Sequence, residues 1–514
     1  MNNRFKTGAL CAAIALSFVS GQALSEQYEA SNPNILILYA DDLGYGDPSS
    51  YGGKIDTPNI DALAESGIRF TDAHSPAATC TPSRYSLMTG EHAFRINTDI
   101  LEGNDPLIIR PDQPTIAKMM LEEGYKTAYV GKWHLGIGDG KGDVDWNQPF
   151  TRGANDVGFE YSFLLPVTND RVPTVFTEND VVLGLDPNDP IYVNYDEPIG
   201  DRPNGMIDRD SMRQKADLQH SGSVINGISR IGWQQGGVSA EFVDEEVSFE
   251  FAKKAYDFID SSLAEEKPFF LFFGFTEPHV PRVPHAMFEG KSGQGPRGDS
   301  ILQLDYVTGQ IIQELKDRDI YDNTIIIFTS DNGPVLNDGY LDGAPRLLNG
   351  HTPWGELYGY GGKYSAYEAS TRVPTIISYP NGIKKGGESD ALFSHIDFYR
   401  SFANLLSVDL EDGEAIDSQD VLDALLDSSM PARKQMIQES FTLSVRDGNW
   451  KYVQPQVNNN IWIEQDKHID SGLFPHPQLF NLKVDLQEQN NLASEKPERV
   501  KKMQAMIDKV VARK

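Results

Sequence analysis

Cysteine is nearly missing from this chain. Only Cys11 and Cys80 occur in 514 residues. Cys11 lies in an N-terminal stretch that reads as a leader, and its removal leaves one thiol, which excludes an intramolecular disulfide framework. In an oxidising compartment a lone thiol is a liability unless it is buried or chemically used. Basic residues are also scarce, 45 Lys and Arg against 75 Asp and Glu, for a formal net charge of −30. That balance excludes nucleic acid as a partner, because phosphate binding needs a basic footprint. It also repels anions at long range, so an anionic substrate demands positive charge gathered locally. Beyond the N-terminus no apolar run is long enough to predict a membrane span.

Residues 1–25 are built like a signal peptide. Arg4 and Lys6 give a positive start, "GALCAAIALSFV" a short apolar run, and Ala23-Leu24-Ser25 the small residues of a cleavage site. The expected location is the periplasm or the outside of the cell. About 489 residues then remain, ample for a large core. The texture of the chain predicts a catalytic domain over 26–430 and a smaller C-terminal domain over 431–514.

"PNILILYADDLGYGD" (Pro33–Asp47) is an apolar run ending abruptly in carboxylates and glycines, as expected of a buried central strand. "DTPNIDALAESGIRF" follows as a helix, with Thr57 as N-cap, Pro58 in the first turn and Gly67 as the stop. "QPTIAKMMLEEG", "FVDEEVSFEFAKKAYDFIDSS" and "SILQLDYVTGQIIQELKDR" read as helices, and "KTAYVGKWH", "KPFFLFFGFTEPH" and "NTIIIFTSDNG" as strands. Such alternation predicts an α/β fold, with a large, mostly parallel sheet covered by helices on both faces. The polar stretch at about 140–239 is strand-poor and reads as a binding loop or lid. Near the C-terminus, "KQMIQES", "FTLSVRDGNWKYV" and "QLFNLKVD" predict antiparallel strands and "ERVKKMQAMIDKVVA" a closing helix.

The reactive side chains cluster in this pattern. Asp41, Asp42, Lys132, His134, His279, Asp331 and Asn332 each follow an apolar strand segment. In an open α/β sheet, the carboxyl ends of strands are where ligands bind. Asp41, Asp42, Asp331 and Asn332 supply hard oxygen ligands, suited to Ca2+ or Mg2+ rather than a soft metal. Two consecutive aspartates converge only where the strand has ended and the backbone turns, and "DDLGYG" provides for that.

Several segments resemble the type I, formylglycine-dependent sulfatases of the alkaline phosphatase superfamily, chiefly secreted bacterial enzymes acting on carbohydrates. "CTPSR" (Cys80–Arg84) matches the Cys-x-Pro-Ser-Arg modification signal, and "LMTG" continues it. "DDLGYGD", "GKWHLG", "SDNG", "GGKYSAYEASTRVP" and the late "QLFNLKVDLQEQNNLA" match further motifs across almost the whole mature chain. One small departure is "YEASTRVP", where the family commonly has "YEGG-x-RVP". The resemblance implies that Cys80 becomes Cα-formylglycine through a formylglycine-generating maturation enzyme that reads Pro82 and Arg84. It also implies Ca2+ on Asp41, Asp42, Asp331 and Asn332, Arg84 on the hydrated aldehyde, and sulfate binding by Lys132 and Lys363. His134 would stand beside the diol and His279 beside the leaving oxygen. The implied reaction is hydrolysis of a sulfate ester through a sulfated formylglycine hydrate, with Asp42 taking the nucleophile's proton.

The cationic set of Arg84, Lys132 and Lys363 meets the demand for local positive charge. Asp170 and Arg171 in "TNDRVP" are candidates for substrate recognition, and Trp354 and Tyr358 could stack on a sugar face. His220, His285, His351 and His395 are read as structural histidines. The expected substrate is a sulfated carbohydrate or another sulfate ester. The rival readings are a phosphoesterase or phosphonate monoester hydrolase of the same superfamily, and an inactive glycan-binding protein.

Overall fold

A computed structural model describes residues 32–214, 219–335, 362–456 and 469–513, with Met1 and Ile463 besides. The leader expected at 1–25 lies outside this set except for Met1, as do His351, Trp354 and Tyr358. Pro33–Lys514 form one compact unit.

Strands β1 (Asn34–Ala40), β2 (Ile68–Phe70), β3 (Lys126–Lys132), β4 (Tyr161–Leu165), β5 (Thr177–Glu178), β6 (Val181–Val182), β7 (Phe269–Gly274), β8 (Thr324–Ser330), β9 (Thr375–Ser378) and β10 (Gly387–Ser389) form one sheet. Its order is β10-β2-β9-β8-β1-β7-β3-β4-β5-β6. The centre, β8-β1-β7-β3-β4, is parallel throughout, whereas β9 and β5 join it antiparallel. The sheet is thus mixed, parallel at its core and flanked by antiparallel pairs, with a parallel β10–β2 pair at one edge. The short strands β2, β9 and β10 carry little sequence signal of their own, and β4 lies inside the stretch expected to be strand-poor.

Alternation along each central strand assigns residues to opposite faces. Ile35, Ile37 and Tyr39 join Phe270 and Phe272 beneath helices α2 (Cys80–Thr89) and α3 (Ile116–Glu122). Leu36 and Leu38 join Leu271 and Phe273 beneath α1 (Pro58–Ser66), α4 (Val247–Ala264) and α5 (Gly295–Asp317). Both faces are therefore covered, which is why the central strands read as unbroken apolar runs. A separate antiparallel sheet runs β11 (Gln435–Glu439), β12 (Leu443–Asp447), β13 (Trp450–Val453) and β14 (Gln478–Asn481). The closing helix α6 (Pro497–Val511) packs Met503 and Ile507 against it.

Candidate active site

The site grows from the points where β1 and β8 end. Asp41 and Asp42 follow β1, and Asp42 adopts a left-handed backbone, φ +63°. This conformation is uncommon outside glycine and is retained chiefly at functional positions. Here it turns consecutive carboxylates toward one corner. The Asp331 amide donates to the Ala40 carbonyl at 3.0 Å, and the Asp42 amide donates to Asp331 Oδ1 at 3.2 Å. Asn332 Nδ2 donates to Asp42 Oδ1 at 2.7 Å. Asp41, Asp42, Asp331 and Asn332 are fully buried.

Three cations reach the same corner. Lys132 Nζ lies 2.5 Å from Asp41 Oδ2 and 4.0 Å from Asp331 Oδ2. Lys363 Nζ lies 2.8 Å from Asp42 Oδ1. Arg84 donates from Nε and Nη2 to Asp331 Oδ2 at 3.0 and 2.8 Å, and from Nη1 to the Lys132 carbonyl at 2.8 Å. Burial raises the Asp41 carboxyl well above the usual range and the Asp331 charge adds to this, against the pull of Lys132. Burial also works to raise Asp42, but Lys363, His279 and Lys132 outweigh it and hold that carboxyl low.

Several oxygens remain unsatisfied. Asp41 Oδ1, Asp42 Oδ2 and Asn332 Oδ1 are buried acceptors without a hydrogen-bond partner. Ligand atoms of Asp41, Asp42 and His279 all lie within 4.8 Å of one another. Hard oxygen donors left without hydrogen-bond partners in one buried corner fit a hard divalent cation.

Helix α2 brings Cys80 to this corner. Cys80 opens the helix, and the hydroxyl of its N-cap, Thr79, makes no capping hydrogen bond. The first-turn N–H groups and the helix dipole therefore favour an anion there. Four residues on, Arg84 shares the helix face of Cys80 and carries it to Asp331. Cys80 lies within electrostatic reach of Lys363 and Arg171.

Two histidines border this space. His134 follows β3 with φ +55°. Its carbonyl accepts from Thr81 Oγ1 at 3.1 Å, and its Nε2 donates to the Leu101 carbonyl at 3.0 Å. Nδ1 is thereby left as an acceptor, and it has no partner. Burial, with help from Lys132 and Arg171, keeps this ring neutral. His279 donates from Nδ1 to the Val280 carbonyl at 2.7 Å, which leaves Nε2 facing Asp42 Oδ2 at 3.8 Å. Burial pushes its pKa down to about 3.

Asp170 and Arg171 adjoin this group. Arg171 Nη1 donates to Thr168 Oγ1 at 2.9 Å and lies 3.4 Å from Asp170 Oδ1. Burial acts to raise Asp170, yet Arg171, His279 and His220 hold it well below the usual range. His220 Nε2 sits 3.1 Å from Asp170 Oδ2. His220 thus belongs with the site, and so does Tyr364, whose ring lies under Lys363 at 5.6 Å. The sequence reading took His220 for a structural histidine and did not single out Tyr364. His220 lies in a polar stretch without a motif, and only the adjacency of Tyr364 to Lys363 could have drawn notice. His395, in contrast, bonds Thr329 Oγ1 at 2.9 Å within the core, and His285 pairs with Glu246 at 3.5 Å.

Comparison with known proteins gives a consistent picture. A family model described as "Sulfatase" matches residues 33–408. The N-acetylgalactosamine-6-O-sulfatase of Bacteroides thetaiotaomicron is 47% identical over 488 residues, covering 94% of each chain. Arylsulfatase A of Bos taurus is 29% identical, covering 90% of this chain and 84% of its own length. A solved Bacteroides thetaiotaomicron structure, reported in connection with metabolism of multiple glycosaminoglycans, superimposes with a TM-score of 0.90 at 47% identity. It covers 94% of this chain and 100% of that one.

Proposed function

This chain belongs to the sulfatase family, as a formylglycine-dependent hydrolase of sulfate esters, and from that premise we propose that it removes the 6-O-sulfate of an N-acetylgalactosamine unit in a sulfated glycan. The observation that carries the sugar and the position is the 47% identity, across 94% of both chains, to a sulfatase of that specificity.

We assign the roles as follows. Asp41, Asp42, Asp331 and Asn332 would hold Ca2+, which as a Lewis acid supplies charge stabilisation to a sulfate oxygen and an adjacent hydroxyl. Formylglycine at position 80, as its hydrate, would supply the attacking hydroxyl and a second one that lets sulfate depart. The chain's own groups do the rest. Lys132 and Lys363 clamp the sulfate, each worth roughly 4 kcal/mol at 4 Å and an effective dielectric near 20. Distant acidic surface is screened beyond about 10 Å in salt, so these local cations prevail over the negative net charge. Arg84 fixes the helix turn bearing position 80 against Asp331. Asp42, held ionised, accepts the first proton. His134, neutral with Nδ1 unpartnered, accepts the proton of the second hydroxyl. His279 Nε2 protonates the leaving oxygen, with Lys363 assisting, and a bound anion raises the affinity of that ring for its proton. Asp170, Arg171 and His220 contact the sugar.

Export belongs to the same proposal. The leader over 1–25 directs the chain to the periplasm or beyond, a formylglycine-generating enzyme matures Cys80, and the domains extend over 26–430 and 431–514. Among the described residues no helix is long and apolar enough to cross a membrane.

A panel of defined sulfated saccharides, with NMR location of the lost group, tests this reading. Selective loss of the 6-O-sulfate from N-acetylgalactosamine is expected. Preference for another sugar or position overturns the substrate assignment, and faster turnover of matched phosphate esters would favour the phosphoesterase reading.

A further inference from the structure

A cavity of about 350 Å3 lies between the first turn of α2, the loop at 97–99 and the edge of the C-terminal sheet. Thr79 and Pro82 form one wall. Three residues apart, they share a face of α2 other than that of Cys80 and Arg84. The cavity therefore adjoins the nucleophile's turn without being part of the cation and sulfate corner.

Its chemistry is distinctive. Phe94 and Phe441 line it together with Asn97, Gln454 and Gln456, the last of which donates its amide to the Phe441 carbonyl. Aromatic rings cover the C–H face of a pyranose, while amides both donate to and accept from its hydroxyls. The volume sits at the low end of small-molecule pockets, about 300–1,000 Å3, which suits one sugar ring. Asp99 and Glu439 add carboxyl groups, and no lysine or arginine occurs among the described lining residues. A uronate or a second sulfate would find no cation there to pair with. Glu439 is only 5% exposed, and its Oε2 has no hydrogen-bond partner. Burial pushes its pKa up to about 8, so near neutrality the carboxyl can also donate.

We propose that this cavity is a subsite for an uncharged sugar unit adjoining the sulfated one, recognised through Phe441, Glu439 and the Gln454 amide. The proposal rests on the reading of the substrate as a sulfated glycan and adds the charge class of the neighbouring unit.

The test compares KM for 6-O-sulfo-N-acetylgalactosamine alone, the same sugar linked through its anomeric carbon to galactose, and the same sugar linked to glucuronate. The galactose extension should lower KM about five- to tenfold with little change in kcat, and the glucuronate extension should not. Phe441→Ala should bring the KM of the galactose-extended probe up to that of the single sugar. Gln454→Ala, a partly exposed position, should do the same in part and guards against misfolding of the first variant. Equal KM values in the wild type, or equal losses on all three probes in both variants, would overturn the subsite. Saturation-transfer NMR with the unsulfated galactose disaccharide reads the cavity without turnover. Transfer to galactose protons that Phe441→Ala abolishes supports the subsite even if the sulfated probes are not substrates, and no transfer overturns it.

Discussion

A buried acceptor left without a partner costs about 1–3 kcal/mol, and Asp41 Oδ1, Asp42 Oδ2 and Asn332 Oδ1 all fall in one corner. Such a cost is sustained where a ligand relieves it. Chelation of the isolated enzyme is therefore expected to abolish turnover, and added Ca2+ to restore it. Binding only the native state stabilises it by about 4 kcal/mol at a thousandfold excess over Kd, so thermal unfolding should shift in parallel. Circular dichroism should still show a folded chain after chelation, because Lys132 and Lys363 already offset the carboxylates. A second residue-scale prediction concerns Glu439. Its ordinary pKa of 4.5 rises to about 8 on folding, chiefly by burial, with the charges of Asp417 and Asp99 adding to it and backbone N–H groups of Phe94 and Ala93 opposing it. His92, whose Nδ1 lies 4.0 Å away, is itself driven down to about 4 and stays neutral above that. A folded-state pKa raised in this way gives stability that is complete below the unfolded value and is lost as pH rises through the folded one. Wild-type stability relative to Glu439→Gln should therefore fall between pH 5 and 8, by on the order of 2–4 kcal/mol in urea titrations.

At the scale of elements, the chemistry depends on how β3 ends. Gly131 has φ +120°, and a Cβ there would stand 1.9 Å from the Gly274 carbonyl oxygen of the neighbouring strand β7. Only glycine lets the chain leave the sheet so that Lys132 turns to Asp41 and His134 to the first turn of α2. Gly131→Ala is expected to cost at least about 2 kcal/mol through strain and overpacking. Displacing Lys132 and His134 by even 1 Å should lower kcat about a hundredfold. Steady-state kinetics at a temperature where the variant is folded separates the two losses. The same junctions explain how much could be read from sequence. The apolar runs of β1, β3, β7 and β8 are buried on both faces, so each announces itself, and the polar residues that end them mark the site. Thr57, Pro58 and Gly67 stand at the ends of α1 as expected, although the Thr57 hydroxyl donates to Asp61 instead of capping a backbone N–H and Gly67 is not left-handed. Strands such as Ile68–Phe70 and Gly387–Ser389 exist only because the sheet is already there to pair with, so no local pattern reveals them. Of the groups proposed to face the substrate, His220 reaches Asp170 across 50 residues of chain, a tertiary fact without a motif.

Across the whole molecule, the C-terminal sheet holds the turn before Cys80 in place. The Ala78 amide donates to the Glu439 carbonyl at 2.8 Å, and the Ala78 carbonyl accepts from the Tyr364 amide at 3.1 Å. Ser440 Oγ donates to the Tyr364 carbonyl at 3.2 Å. The turn before Cys80, the segment bearing Lys363 and the end of β11 thus meet at one peptide. Behind that junction, Arg446 on β12 donates to Glu368 Oε2 at 2.7 Å and to Asp72 Oδ2 at 3.0 Å. Glu368 also accepts from Gln438 at 3.0 Å and lies 3.3 Å from Lys451 Nζ. Arg446, Glu368 and Lys451 are almost wholly buried, so removing one partner leaves charge that water cannot reach. Arg446→Met should cost about 3–5 kcal/mol of unfolding free energy, against less than about 1 kcal/mol for Arg69→Met at the exposed Arg69–Glu388 pair. Because the weakened seam also carries Ala78 and Tyr364, kcat should fall in Arg446→Met and stay level in Arg69→Met. If the C-terminal sheet were merely appended to the catalytic unit, Arg446→Met would lose stability with kcat intact, and urea unfolding paired with kinetics on the same preparations distinguishes the two outcomes.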